Sequence, residues 1–213
     1  MNDIIIFLKK PHYKESLIEI NWKHFFLLIL KYYLMMLPVT IVVAIIAKHY
    51  NIVHKPSLLP LYKKMLLTLI LTPILEELLF RLLLIFNRRN LIVFGLTCFT
   101  LSIYYLLINS NIKLLIFAFS TLLFAIAFFN QGNCKLFLRN YFRLIFYATS
   151  ILFGLLHVFN YTGVSGYLIL FVPFLVFPQI LMGFFFGYVR VTYGFIYAIL
   201  FHSFLNLVAL IFS

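Results

Sequence analysis

Residues 71 to 86 read LTPILEELLFRLLLIF, which sets two adjacent glutamates and one arginine inside a stretch of hydrocarbon. Holding a carboxylate at membrane depth costs about 2.5 to 3.5 kcal/mol even on lenient insertion scales, so two together require compensation. On a helix, Glu77 and Arg81 stand at i and i+4 in the favourable order and can pair away from water. Glu76 lies about 100° round the same helix and lacks that partner. Its carboxylate is the one left free for proton transfer, for instance from a water molecule that then attacks as a nucleophile. Pro73 loosens the helix just upstream, where the carboxylates face inward. Two further places carry groups of catalytic type in apolar surroundings. FGLLHVFN sets Phe153 and His157 at i and i+4, and FHSFLNLVAL sets His202 and Asn206 in the same relation, each pair on one helix face. The other acids, Asp3, Glu15 and Glu19, lie in the polar N-terminal segment, and His12, His24, His49 and His54 read as interfacial residues.

The composition says what framework must position these side chains. Hydrophobic residues make up 65% of the 213 positions and charged residues 10%, and the mean hydropathy is +1.09. That excludes an ordinary soluble globular domain. A bilayer crossing needs about 20 apolar residues, and about seven candidates lie near residues 24–47, 61–86, 91–109, 112–129, 141–159, 167–188 and 193–212. The expected fold is all-α, a polytopic transmembrane helix bundle over residues 23–213, preceded by a polar or interfacial segment at 1–22. Within that segment residues 4–8 can lie amphipathically in the interface. The first apolar run starts beyond residue 20 and is followed by more, so it is expected to stay uncleaved. NSN at 109–111 and NQGN at 130–133 are turn signals. Cys98 and Cys134 show neither metal spacing nor a paired framework.

Seventeen Lys and Arg against five acids give a charge of +12. The cations fall mostly between and beside apolar runs, which points to membrane surfaces and away from nucleic acid. Seven crossings put Lys9, Lys10, Lys14, Lys23, Arg88, Arg89, Lys135, Arg139, Arg143 and Arg190 on one side. Lys48, Lys55, Lys63, Lys64 and Lys113 fall on the other, so the N-terminus is expected in the cytoplasm.

The ordered set E-E-x-x-x-R, F-x-x-x-H and H-x-x-x-N, each inside an apolar span, resembles the CAAX protease and bacteriocin-processing family of intramembrane proteases, also called CPBP or Abi. Here the set is Glu76, Glu77, Arg81; Phe153, His157; His202, Asn206. The lead-in GFFFGYVRVTYGFIYAILFHSFLN also matches the family's small-residue helix, short basic turn and histidine-bearing helix, so the resemblance spans residues 71–206. It implies a glutamate-dependent intramembrane endopeptidase that hydrolyses a peptide bond at the membrane. In that family the first glutamate and the second-motif histidine activate water, here Glu76 and His157. The third-motif histidine and asparagine stabilise the oxyanion, here His202 and Asn206. Glu77 and Arg81 are then supports that fix the helix and tune Glu76, and Phe153 walls the site. The implied partners are a membrane-associated peptide or protein substrate and the lipid bilayer, with no cofactor. The compact size suggests a bacterial plasma membrane. Two features depart from the family. Leu82 follows the arginine where many members have glycine, and the stretch from Arg81 to Phe153 is long, as though the hairpin at 91–109 and 112–129 were an addition. His157 also falls near the end of its span while Glu76 is mid-span, so either the span runs on or the chain after His157 folds back.

Other readings stay open on the sequence alone. Glu76, His157 and His202 form a conceivable zinc set with one open position, although no H-E-x-x-H pair is present. A buried Glu–Arg pair can merely lock helices, a lone histidine is commonly just hydrogen-bonded, and Asn206 alone would be interhelical glue. A proton or ion pathway predicts more polar lining and inverted-repeat symmetry than the sequence offers. A non-catalytic immunity or scaffold protein would keep the fold without the reaction. Gly183 and Gly187, at small-xxx-small spacing, suggest a helix-packing face. Gln179 has no assigned role.

Overall fold

The computed structural model describes residues 3–55 and 58–211. The last residue expected in the seventh span, 212, and part of the basic loop at 48–64 lie outside the described residues. Inside a bilayer the backbone must satisfy its own hydrogen bonds, which makes helices of the apolar runs. In chain order they are α1 (Asp3–Lys9), α2 (Trp22–His49), α3 (Leu61–Leu66), α4 (Thr72–Phe80), α5 (Arg88–Leu107), α6 (Asn111–Phe129), α7 (Gln131–Asn140), α8 (Phe142–Leu156), α9 (Val172–Leu175), α10 (Phe177–Thr192) and α11 (Phe195–Ile211). The chain is an all-α membrane helix bundle. Among the described residues five stretches are long and apolar enough to cross a membrane: Trp22–His49, Arg88–Leu107, Asn111–Phe129, Phe142–Asn160 and Gly166–Thr192. Phe195–Ile211 is a shorter apolar helix.

At the centre stands α10, packed against α8, α11 and α2. Eleven of its 16 residues are buried. Two glycines allow this. A Cβ on Gly154 of α8 would come within 2.6 Å of the Ile180 backbone nitrogen, and one on Gly183 of α10 within 2.8 Å of the Ser150 carbonyl oxygen. The two helices therefore touch backbone to backbone, and Gly183 sits on a packing face. On the outside, α5 and α6 form a hairpin turned at Asn109, whose φ of 53° is left-handed. Burial is absent from α6.

The N-terminal segment is pinned to the bundle. In α1, Ile4 and Phe7 are buried, with the Phe7 ring edge-on to Phe146 and Tyr188 at 5.4 and 5.3 Å. The Ile18 N–H donates to the Thr192 carbonyl at 2.8 Å. Lys14 donates to the Thr192 hydroxyl at 3.0 Å. Ile5 and Ile6 of the same helix are exposed, which gives α1 the two-faced character expected of residues 4–8.

Three local features differ from the sequence expectation, and a fourth settles an alternative left open there. The span expected at 61–86 is helical only to Phe80, contains a π-helical stretch at Leu67–Leu71, and breaks at Arg81 into a 3₁₀ turn at Leu82–Leu84. The turn expected at 130–133 is a single break at Asn130, after which α7 starts. Past α8, a 3₁₀ turn at His157–Asn160 leads into a two-residue strand, β2 (Tyr161–Thr162), antiparallel to β1 (Val53–His54), which follows α2. The chain after His157 thus folds back, one of the two outcomes expected there. Finally Arg190, counted above among surface cations, is buried at the end of α10.

Candidate active site

The geometry of the site begins with the π-helical stretch. Pro73 has no N–H, so the carbonyl five residues earlier, that of Thr68, loses its π-helical partner. Asn206 of α11 supplies one: its Nδ2 donates to the Thr68 carbonyl at 2.9 Å. This bond ties the last helix to the one that carries the glutamates. Just beyond, Glu77 is fully buried and Arg81 is 1% exposed, with Nη1 to Oε1 at 3.2 Å. The i to i+4 pair expected from the sequence is present.

The pair is larger than two residues. His202 of α11 places Nδ1 3.1 Å from the same Glu77 oxygen and Nε2 3.5 Å from Oε2 of Glu76. One imidazole therefore bridges both carboxylates. Its ring stacks on Phe186 at 4.2 Å between centroids. The Arg81 guanidinium lies 3.8 Å over the Phe153 ring and 5.3 Å from that of Phe186, so aromatic faces cover a cation that hydrogen-bonds through one nitrogen. Two buried atoms of this arginine, Nε and Nη2, have no hydrogen-bond partner among the described residues.

The 3₁₀ break after α4 leaves carbonyls exposed within the protein, and Arg190 closes them. Its Nε donates to the Arg81 carbonyl at 3.2 Å and its Nη2 to the Leu82 carbonyl at 3.0 Å. Asn90 adds a bond to Ile85 at 2.6 Å. Leu82, the departure from the family's glycine, is buried at this turn. Neither Phe186 nor Arg190 was legible as a site residue. Phe186 is one of 27 phenylalanines, and Arg190 resembles any loop cation until the turn it caps is seen.

His157 sits where α8 gives way to the 3₁₀ turn, with Nδ1 2.8 Å from the Phe153 carbonyl. A carbonyl only accepts, so Nδ1 carries the proton and Nε2 of the neutral ring is free to accept one. Glu76 and His157, with Phe80, Phe153, Leu156 and Asn160, line a small recess of about 100 Å³. That recess adjoins a cavity of about 660 Å³ onto which Glu76, His157, His202 and Asn206 all open, together with Thr68, Thr72 and Gln179. Three distant segments therefore converge on one space, as their polar character requires at membrane depth. Among the described residues no three of His, Cys, Asp and Glu are grouped so as to hold a metal ion. Both His202 nitrogens face carboxylates, and Nδ1 of His157 is engaged by the Phe153 carbonyl.

No curated protein matches the chain. No solved structure matches it either. The model of the family described as Type II CAAX prenyl endopeptidase Rce1-like matches residues 58–208, which include every candidate site residue. With five apolar helices long enough to cross a membrane, that match makes this an integral membrane protein. The chain belongs to the Rce1-like family of type II CAAX prenyl endopeptidases.

Proposed function

We propose that the protein is a metal-free, glutamate-dependent intramembrane endopeptidase whose water is held between Glu76 and His157. The recess shared by these two residues carries the reading. A space of that size accommodates a few ordered waters, because one water needs only about 10 to 15 Å³ of such volume and two or more polar partners. Glu76 and Nε2 of His157 are the acceptors. As the water oxygen bonds to the scissile carbonyl carbon, its proton passes to this pair, and the same pair returns a proton to the amine nitrogen as the C–N bond breaks. One water is consumed, and an acid and an amine are released.

Charge on the carbonyl oxygen is met from α11. Glu77 accepts from Nδ1–H of His202, and when the ring takes a second proton and becomes an imidazolium its Nε2–H points towards Glu76 and the cavity. That N–H, with the second hydrogen of the Asn206 amide, is the donor pair for the oxyanion. The first Asn206 hydrogen is spent on Thr68, which orients the amide. Glu77, Arg81 and Phe153 act through His202 and Glu76 and touch no reacting atom.

The family's name suggests a prenylated CAAX C-terminus as substrate. The test is cleavage of a prenylated CAAX reporter peptide by the full chain in proteoliposomes, beside an unprenylated peptide of the same sequence. Glu76→Gln is expected to lower the rate by about 10² to 10⁴-fold with the protein still inserted and folded. Wild-type activity is expected to survive exhaustive chelation. Full activity in Glu76→Gln, or activity lost to chelator and restored by zinc, would overturn the mechanism.

A further inference from the structure

A second cavity, of about 540 Å³, lies between the α5–α6 hairpin and the site helices. Its lining is almost wholly apolar and includes Phe80, Phe94, Phe124, Ala127, Phe137 and Ile145. Phe80 also walls the recess beside Glu76, so one ring separates the two spaces. A well-formed apolar space of this size is ordinary for a small-molecule or lipid site. In an integral membrane protein the abundant apolar ligand is an acyl chain.

The surroundings specify the head group. The start of α5, the end of α6, α7 and the start of α8 lie at one end of the bundle, as α5 and α6 run antiparallel and α7 joins α6 to α8. This end carries Arg88, Arg89, Lys135, Arg139 and Arg143, and the sequence has no acid after Glu77. Arg139 pairs with Glu15 at 3.1 Å. Arg88, Arg89, Lys135 and Arg143 make no ion pair among the described residues. The Arg88 guanidinium stands 5.7 Å over the Phe128 ring, and Phe128 lies 5.8 Å from Phe124 of the cavity wall. Lys135 follows Asn133 and Cys134, which line the same cavity. An apolar slot rimmed by exposed cations matches an amphiphile with a hydrocarbon tail and a negative head.

We infer that this cavity is a binding site for an anionic phospholipid, one acyl chain lying against Phe80 and Phe124 and the phosphate at Arg88, Arg89 and Lys135. The inference does not depend on peptide hydrolysis. It is tested on the detergent-purified full chain by native mass spectrometry, with equimolar dioleoyl phosphatidylglycerol and dioleoyl phosphatidylcholine as probes. Wild type is expected to retain one phosphatidylglycerol at least about tenfold over phosphatidylcholine, each rim cation contributing about fivefold. Arg88→Gln with Arg89→Gln is expected to erase most of that preference while retaining weak binding of both lipids. Ala127→Phe, which fills the cavity, is expected to abolish retention of either. Equal retention of the two lipids by wild type, or an unchanged preference in the exposed double variant, would overturn the site. So would phosphatidylglycerol held normally by folded Ala127→Phe. Should Ala127→Phe fail to fold, the double variant, altered only at exposed side chains, decides the matter alone.

Discussion

Helices α6 and α10 belong to equally apolar stretches, yet their fates differ. Of the span that ends in α10, 39% of the apolar window is buried inside the protein, whereas none of the window in α6 is. Lipid is as good a solvent for leucine as protein is, so apolarity chooses the membrane and says nothing about packing. Close approach does the choosing. Gly154 and Gly183 let the backbones of α8 and α10 meet, and the buried Glu77 and Arg81, with the partly buried Glu76, face the helices so assembled. In α6 the side chains that face lipid, such as Leu115 and Phe119, are large and exposed.

This contrast can be broken most forcefully at its polar centre. Arg81→Met removes the guanidinium paired with Glu77 and leaves a fully buried carboxylate with His202 as its one remaining side-chain partner among the described residues, a loss of about 3 to 5 kcal/mol. The expected outcome is little folded protein by size-exclusion chromatography, with no proteolysis. A stable, monodisperse variant would show that the pair is dispensable to the bundle. Gly183→Leu comes next. It forces α10 away from the Ser150 backbone, at a cost of about 1 to 3 kcal/mol for overpacking. A lowered thermal midpoint and lost activity are expected, and an unchanged midpoint would mean that the helices are not in backbone contact. Smallest is Phe119→Ala on the lipid face of α6, which should change the stability by less than about 0.5 kcal/mol. A large effect there would reveal a partner packed on the hairpin.

The candidate site was unusually legible because membrane depth makes every polar residue expensive and therefore informative. Glu76, Glu77, Arg81, His157, His202 and Asn206 stood out with no knowledge of the fold. Their connections did not. The glutamates are neighbours in sequence, but the fact that one imidazole spans both depends on how α11 packs against α4. Asn206 reads from sequence as an oxyanion donor or as interhelical glue, and one of its amide hydrogens serves a carbonyl on another helix that Pro73 leaves unpaired. Residues 130–140 lack the long apolar signature and read as a turn followed by basic residues, although a short two-faced helix needs only one apolar side. The small β1–β2 pair joins residues over a hundred positions apart, beyond what local periodicity can register.

By itself the sequence determined the solvent, the helical class and the identities of the residues able to move protons, because hydropathy and the cost of buried charge are properties of each residue and its near neighbours. The tertiary structure alone decided which helix is central, that Arg190 closes the broken end of α4, that Phe186 stacks on His202, and that an apolar cavity with a basic rim lies behind Phe80. Those depend on distances between segments far apart in the chain, and no local pattern encodes them.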